Sequence, residues 1–517
     1  MTTAASSLFR SLVIYTVCVP LALLLGYLLS TPYDPTTFII VGAVLFLLLI
    51  PLLLRWHHIW LVASWNMTVV LFFLPGRPLV WLALAWISGL IAFLQYILNR
   101  KHKVIYVREL TRPLILLAVV TIVTAEARGG FGMRAFGGET FGAKRYLFIL
   151  SAIVGYFAIT SQRIPKHRVP LYVALYFLGT VTMAIGEFAV IAPTALYFLF
   201  LMFPVSGAGM QAIMNDPGGP KPGILGRLGG LGVAGDALCL VMLCRYGIKE
   251  LFSWRHLGRV LVFFAFLFMV LLAGYRSMLI LLLLTFALLF YLEGLVRSPL
   301  LPGFMLIAVL GGALLVPFAD RLPPTVQRTL SFLPLPVDPV IKATAQSSTE
   351  WRLQMWKHLL PEVPHYLLLG KGYTFSVRDL AMVQLADARQ ASSEGFELTG
   401  DLHNGPLSVI VPFGIAGMAA FLWLMIAIFK VVRANYLYGD PAFNRVNGFI
   451  LAFFLAKLVA FFVVYGGFYG DLPTFTGLVA LSISINGGVA KKVPAVQPAL
   501  VINRFKLQPP TLRPANA

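Results

Sequence analysis

The sequence predicts an all-α polytopic membrane helix bundle of about 14 transmembrane helices, with one long outer loop that contains short helices. Three observations lead there. The 517-residue chain is 59% hydrophobic and only 12% charged, roughly half the charge of an average soluble protein. Its mean hydropathy is +0.86. Apolar runs long enough to cross a hydrocarbon core of about 30 Å recur from end to end, and the longest polar stretch closes at Asp401-Leu402-His403-Asn404.

In order, spans are expected near residues 9–30, 36–54, 59–74, 78–98, 113–126, 146–162, 169–190, 229–246, 257–274, 277–294, 300–318, 405–429, 446–467 and 472–487. The first is too long for the core of a signal peptide and ends at Ser30-Thr31-Pro32 without a small-x-small cleavage pattern, so it is read as a span. Residues 194–205 are apolar but short and bracketed by Pro193 and Pro204, which predicts a re-entrant or interfacial segment. The resulting divisions are an N-terminal membrane bundle (1–318), a periplasmic loop (319–404), C-terminal membrane helices (405–487) and a polar, Pro-rich cytoplasmic tail (488–517), read as disordered.

The net charge of +20 would point to nucleic acid in a soluble protein. Here the basic residues gather in alternate loops, around Arg55, Arg108, Arg163, Arg255 and Arg433, and the excess orients the chain: those loops and both termini are expected in the cytoplasm. No nucleic-acid partner is expected. Cys18, Cys239 and Cys244 lie in apolar runs and offer neither a disulfide framework nor a zinc spacing. With no Asp-x-Asp pair and no His/Cys cluster, neither a metal nor a cofactor is expected, and His57-His58 is read as an interfacial pair. Glu187, Asp236 and Lys457 fall inside apolar runs and should face the bundle, with Lys457 expected to pair or share a polar cavity with Asp236. Glu126 and Arg128 are read as a solvated edge.

Within the loop, Ser347-Ser348-Thr349-Glu350 has capping-box spacing ahead of an amphipathic helix carrying Trp351, Met355 and Leu359, which Pro361 stops. Gly370-Lys371-Gly372 reads as a flexible turn. The loop's orientation puts Arg227, Arg276 and His403 at one membrane surface. Arginine presents a fork of donors suited to phosphate oxygens, and imidazole is the side chain whose reference pKa lies nearest neutral, so it can accept and return a proton. Each also has a plainer reading, an interface anchor for the arginines and a loop end for the histidine.

Arg227-x-x-Gly230, Gly274-Tyr275-Arg276-Ser277, Gly370-Lys371-Gly372, and His403-Asn404-Gly405-Pro406-Leu407 running into Pro412-Phe413-Gly414-Ile415-Ala416-Gly417 together resemble the O-antigen ligase and polymerase family, across roughly residues 227–429. The resemblance implies a metal-independent glycosyltransferase of lipopolysaccharide biosynthesis in the bacterial inner membrane. Its donor would be an undecaprenyl-diphosphate-linked glycan, and its acceptor the lipid A core or another glycan. By position, Arg227 and Arg276 would contact the diphosphate, His403 would be the catalytic base, and Arg352 would be a loop contact. The chain has more predicted spans than most ligases, which leaves the acceptor open. The rival reading is a transporter or flippase of the same lipid-linked glycans, which would show a path open to both sides rather than a cavity open only outward.

Overall fold

The computed structural model describes residues 35–98, 104–133, 140–191, 194–205, 227–388 and 402–492, with residue 138 and fragments of 15–27. Most of the expected first span and nearly all of the tail lie outside them. The described chain is a helical bundle, as the composition requires, because backbone groups in hydrocarbon must be satisfied within the segment. The strands among the described residues are two of two residues each, Thr140–Phe141 and Phe375–Ser376, paired antiparallel.

Eleven helices among the described residues are long and apolar enough to cross a membrane, and Arg276–Leu292 is a shorter apolar one. The largest difference from the expected boundaries lies near the start of the described bundle. Residues 36–54 and 59–74 are not two spans: Pro35–Ser64 is a single helix kinked at Trp56, and residues 65–79 form a hairpin closed by a bridge between Val70 and Leu79. The polar tetrad Arg55-Trp56-His57-His58 imitated a loop. Both histidines are instead buried, His58 Nε2 lying 2.8 Å from the Ile159 carbonyl and His57 Nε2 3.1 Å from the Gln162 amide, so their contacts lie within the bundle rather than at an interface. With that crossing removed, alternation puts residue 35 on the side opposite the long loop. Two cytoplasmic termini therefore no longer follow from alternation. Residues 194–201 form a short 3-10 helix whose following turn bonds to the hairpin, Val70 N donating to Met202 O at 2.8 Å, in keeping with a segment that does not span.

One continuous core runs from Leu61 to Ile485, joining helices from both sides of the long loop. Its C-terminal part is aromatic, with Phe413, Phe421, Phe461, Phe468 and Phe475 buried and meeting edge to face, as for Phe421 and Phe468 at 5.5 Å and 89°. Between helices in lipid such packing replaces the hydrophobic drive that water would supply.

The helix after the loop, Gly405–Tyr438, is broken at Gly414, whose φ of +62° a side chain would strain and whose added Cβ would meet Leu367 O. Backbone broken at membrane depth must be satisfied by protein. Residues 367–372 do this: Lys371 N donates to Val411 O at 2.7 Å, Gly372 N to Pro412 O at 3.0 Å, and Ile415 N to Leu367 O at 2.7 Å. Arg128 Nε holds Gly370 O at 2.7 Å from the other side, so Arg128 is a tether rather than a solvated edge, and the Gly370-Lys371-Gly372 turn is pinned rather than flexible.

Candidate active site

The long loop is organised by the helix Pro339–Leu359. It starts earlier than the capping-box spacing predicts. Asp338 caps it, its carboxylate accepting from Val340 N at 2.7 Å with Pro339 at the first helical position, and Ser347–Glu350 lie in its interior. Met355 and Leu359 are buried, and Leu359 packs with Leu402, just before the broken helix, and with Leu407 and Val411 on its first turns. The expected stripe is therefore real. It seats the loop helix on the bundle.

His403 is placed by its neighbours on both sides. Trp356 Nε1 donates to Leu402 O at 2.9 Å, and Asn404 caps the following helix by accepting from Leu407 N at 3.0 Å. Between these two fixed points His403 adopts φ +49°, a left-handed conformation that costs a histidine free energy and persists where surrounding contacts determine it. Its ring lies between Trp351 and Tyr465, with centroids 5.7 and 5.0 Å away. Gly405 allows this, since a Cβ there would meet Phe461 O at 2.3 Å; the close approach brings residue 465 up to residue 403.

Tyr465 also carries Arg352, whose Cζ lies 5.6 Å from the ring centroid. Arg352 shares a helix face with Thr349, one turn earlier. There Arg276 arrives from the membrane helix, Nη2 donating to Thr349 Oγ1 at 3.1 Å and to Ala345 O at 2.8 Å. Arg227 sits beside it, Cζ 5.3 Å from the Tyr275 ring. The loop helix thus links His403, Arg352 and Arg276 through contacts within a few ångströms, with Arg227 adjoining. Arg328 joins the group, donating to Thr344 O at 3.4 Å.

Among the described residues none of these four arginines pairs with a carboxylate. Glu187 is near, but its Oε2 accepts from Leu231 N at 3.0 Å at the start of the helix Gly229–Leu251. Burial holds the Arg328 and Arg352 guanidinium pKa values below the usual arginine range; the positive neighbours Arg227 and Arg276 for Arg328, and Arg227 for Arg352, lower them further, while Tyr465 opposes the shift for Arg352. Gathered unpaired cations repel, and a bound anion would relieve that cost. Arg352 Nε is buried without a hydrogen-bond partner.

Deeper in the bundle, Lys457 pairs with Asp471 at 2.7 Å rather than with Asp236, which lies within its electrostatic field. The expected span at 472–487 starts earlier, at Phe468, and so carries Asp471 in its first turn, where it also accepts from Gly467 N at 2.9 Å. Both side chains are mostly buried, so Lys457→Met should leave an uncompensated carboxylate and cost about 3–5 kcal/mol. Lys457→Met with Asp471→Leu should recover most of that. Thermal unfolding in detergent measures both, and equal losses for the single and double variants would show that the pair is not coupled.

Sequence reasoning missed Tyr465 and Arg328. An aromatic residue at a span's end looks like any interfacial belt residue, and Arg328 is one of several basic residues in the loop. No curated protein matches the chain significantly. The family model described as O-antigen ligase matches residues 261–422, a segment that holds Arg276, Arg328, Arg352 and His403 but not Arg227. That segment is similar to the O-antigen ligase family, and the helical bundle agrees with the resemblance.

Proposed function

We propose that this protein transfers or polymerises an undecaprenyl-diphosphate-linked glycan at the periplasmic face of the bacterial inner membrane. The observation that carries the reading is the group of arginines around the loop helix, without a carboxylate partner among the described residues and joined to His403 through Tyr465. Arg276, Arg227 and Arg352 hold the donor diphosphate. An acceptor hydroxyl, on lipid A core or on a growing glycan, attacks the anomeric carbon. The new C–O bond forms as the bond from that carbon to the phosphate oxygen breaks, and undecaprenyl diphosphate leaves with the electron pair. His403 takes the hydroxyl proton, and the arginines stabilise the charge that develops on the leaving diphosphate.

The direct test is the purified protein with a lipid-linked glycan donor and each acceptor separately. Glycan joined to an acceptor, with release of undecaprenyl diphosphate, is expected. Movement of intact donor across a vesicle bilayer without such transfer would replace the enzyme with a carrier. Orientation has its own test: reporter fusions at Thr344 should read periplasmic and at Arg433 cytoplasmic. A cytoplasmic signal at Thr344 would place the whole arginine group on the wrong side for this reaction.

A further inference from the structure

The helices that begin just after Arg227 and at Arg276 border a cavity of about 880 Å³ at their other ends. It lies about 25 Å from the arginine group along the 17-residue helix Arg276–Leu292, and its volume is that of a small-molecule site. Val173, Val241, Leu289 and Leu292 give it an apolar wall. Its polar lining holds three cations, Arg245, Lys249 and Arg445, and two acids, Glu250 and Glu293.

Both acids are already engaged. Glu250 is held by Arg445, whose Nη1 also donates to Arg245 O at 2.9 Å. The Glu293 carboxylate accepts from Ile248 N at 3.0 Å and Lys249 N at 3.2 Å, where Gly247 interrupts the helix Gly229–Leu251. Arg245 and Lys249 are exposed, and among the described residues neither pairs with a carboxylate. Arg245 Cζ lies 5.5 Å from the Tyr246 ring centroid, so the cavity offers two cations without a carboxylate partner among the described residues, beside an apolar wall.

We propose that this cavity binds the headgroup of an anionic phospholipid, its phosphate on Arg245 and Lys249 and an acyl chain along the apolar wall. Basic pockets between membrane helices suit such headgroups, and each basic residue near the surface contributes about five-fold in affinity. A free phosphate would leave the wall without a partner. This site is independent of the reading given to the arginine group on the other face.

Delipidated full-length protein in neutral detergent, titrated with phosphatidylglycerol, phosphatidylcholine or inorganic phosphate, tests the assignment through bound-lipid counts and melting temperature. Phosphatidylglycerol should bind and stabilise; the other two should not. Arg245→Gln with Lys249→Gln should weaken phosphatidylglycerol binding about thirty-fold. If that variant melts early without lipid, Lys249→Gln alone should still weaken binding about five-fold. Undiminished phosphatidylglycerol binding by the variants overturns the site, and equal stabilisation by inorganic phosphate overturns its lipid character.

Discussion

His403→Ala should lower glycan transfer by about 10²- to 10⁴-fold, the usual contribution of a positioned general base, while donor binding stays near that of the unmodified protein. The separation follows from the proposed roles. The imidazole acts on the acceptor hydroxyl, whereas the diphosphate is held by guanidinium groups. His403 also occupies a left-handed backbone conformation between two fixed residues, so alanine there retains much of the strain and removes the base. Folding of the variant is to be checked by its melting temperature. Transfer assays under single-turnover conditions, paired with donor-binding titrations, read the two effects apart. Near-normal transfer by a well-folded His403→Ala protein would return this residue to a loop end with no chemical role.

Arg276→Ala should reduce transfer by about 10²- to 10³-fold and weaken donor binding with it, because the lost donors contact the diphosphate before and during charge development. Arg276→Lys should recover only part of either. Lysine keeps the charge, but one ammonium cannot reproduce a planar fork that already reaches Ala345 O and Thr349 Oγ1 on the loop helix. Those bonds raise a competing explanation, that Arg276 merely docks the loop. Thr349→Val separates the two. It removes one tether and should cost about 0.5–1.5 kcal/mol of stability with a small effect on donor binding. If Thr349→Val reproduces the full Arg276→Ala defect, docking accounts for it and the diphosphate contact does not.

The membrane bundle was legible because hydropathy in lipid is a local property. A run such as residues 300–315 can bury its backbone groups in one way, whatever its neighbours do. Boundaries failed where polar residues faced inward. His57 and His58 looked like a loop because their partners, Ile159 O and Gln162, are distant in sequence. Asp471 was passed over for the same kind of reason. Placed just outside its span by hydropathy, it proved to lie in the first turn and to match Lys457 on another helix.

The sequence by itself determined the membrane class and the residue types from which the proposed site is built, since side-chain chemistry and apolar length need no fold to be read. Only the tertiary structure decided that a helix capped by Asp338 brings Arg352 and Trp351 over the membrane end. It also decided that Tyr465 stands beside both His403 and Arg352, and that residues 367–372 complete the broken helix. Those contacts depend on how separate segments pack, and a glycine such as Gly405 shows its use only when the backbone of Phe461 is seen against it.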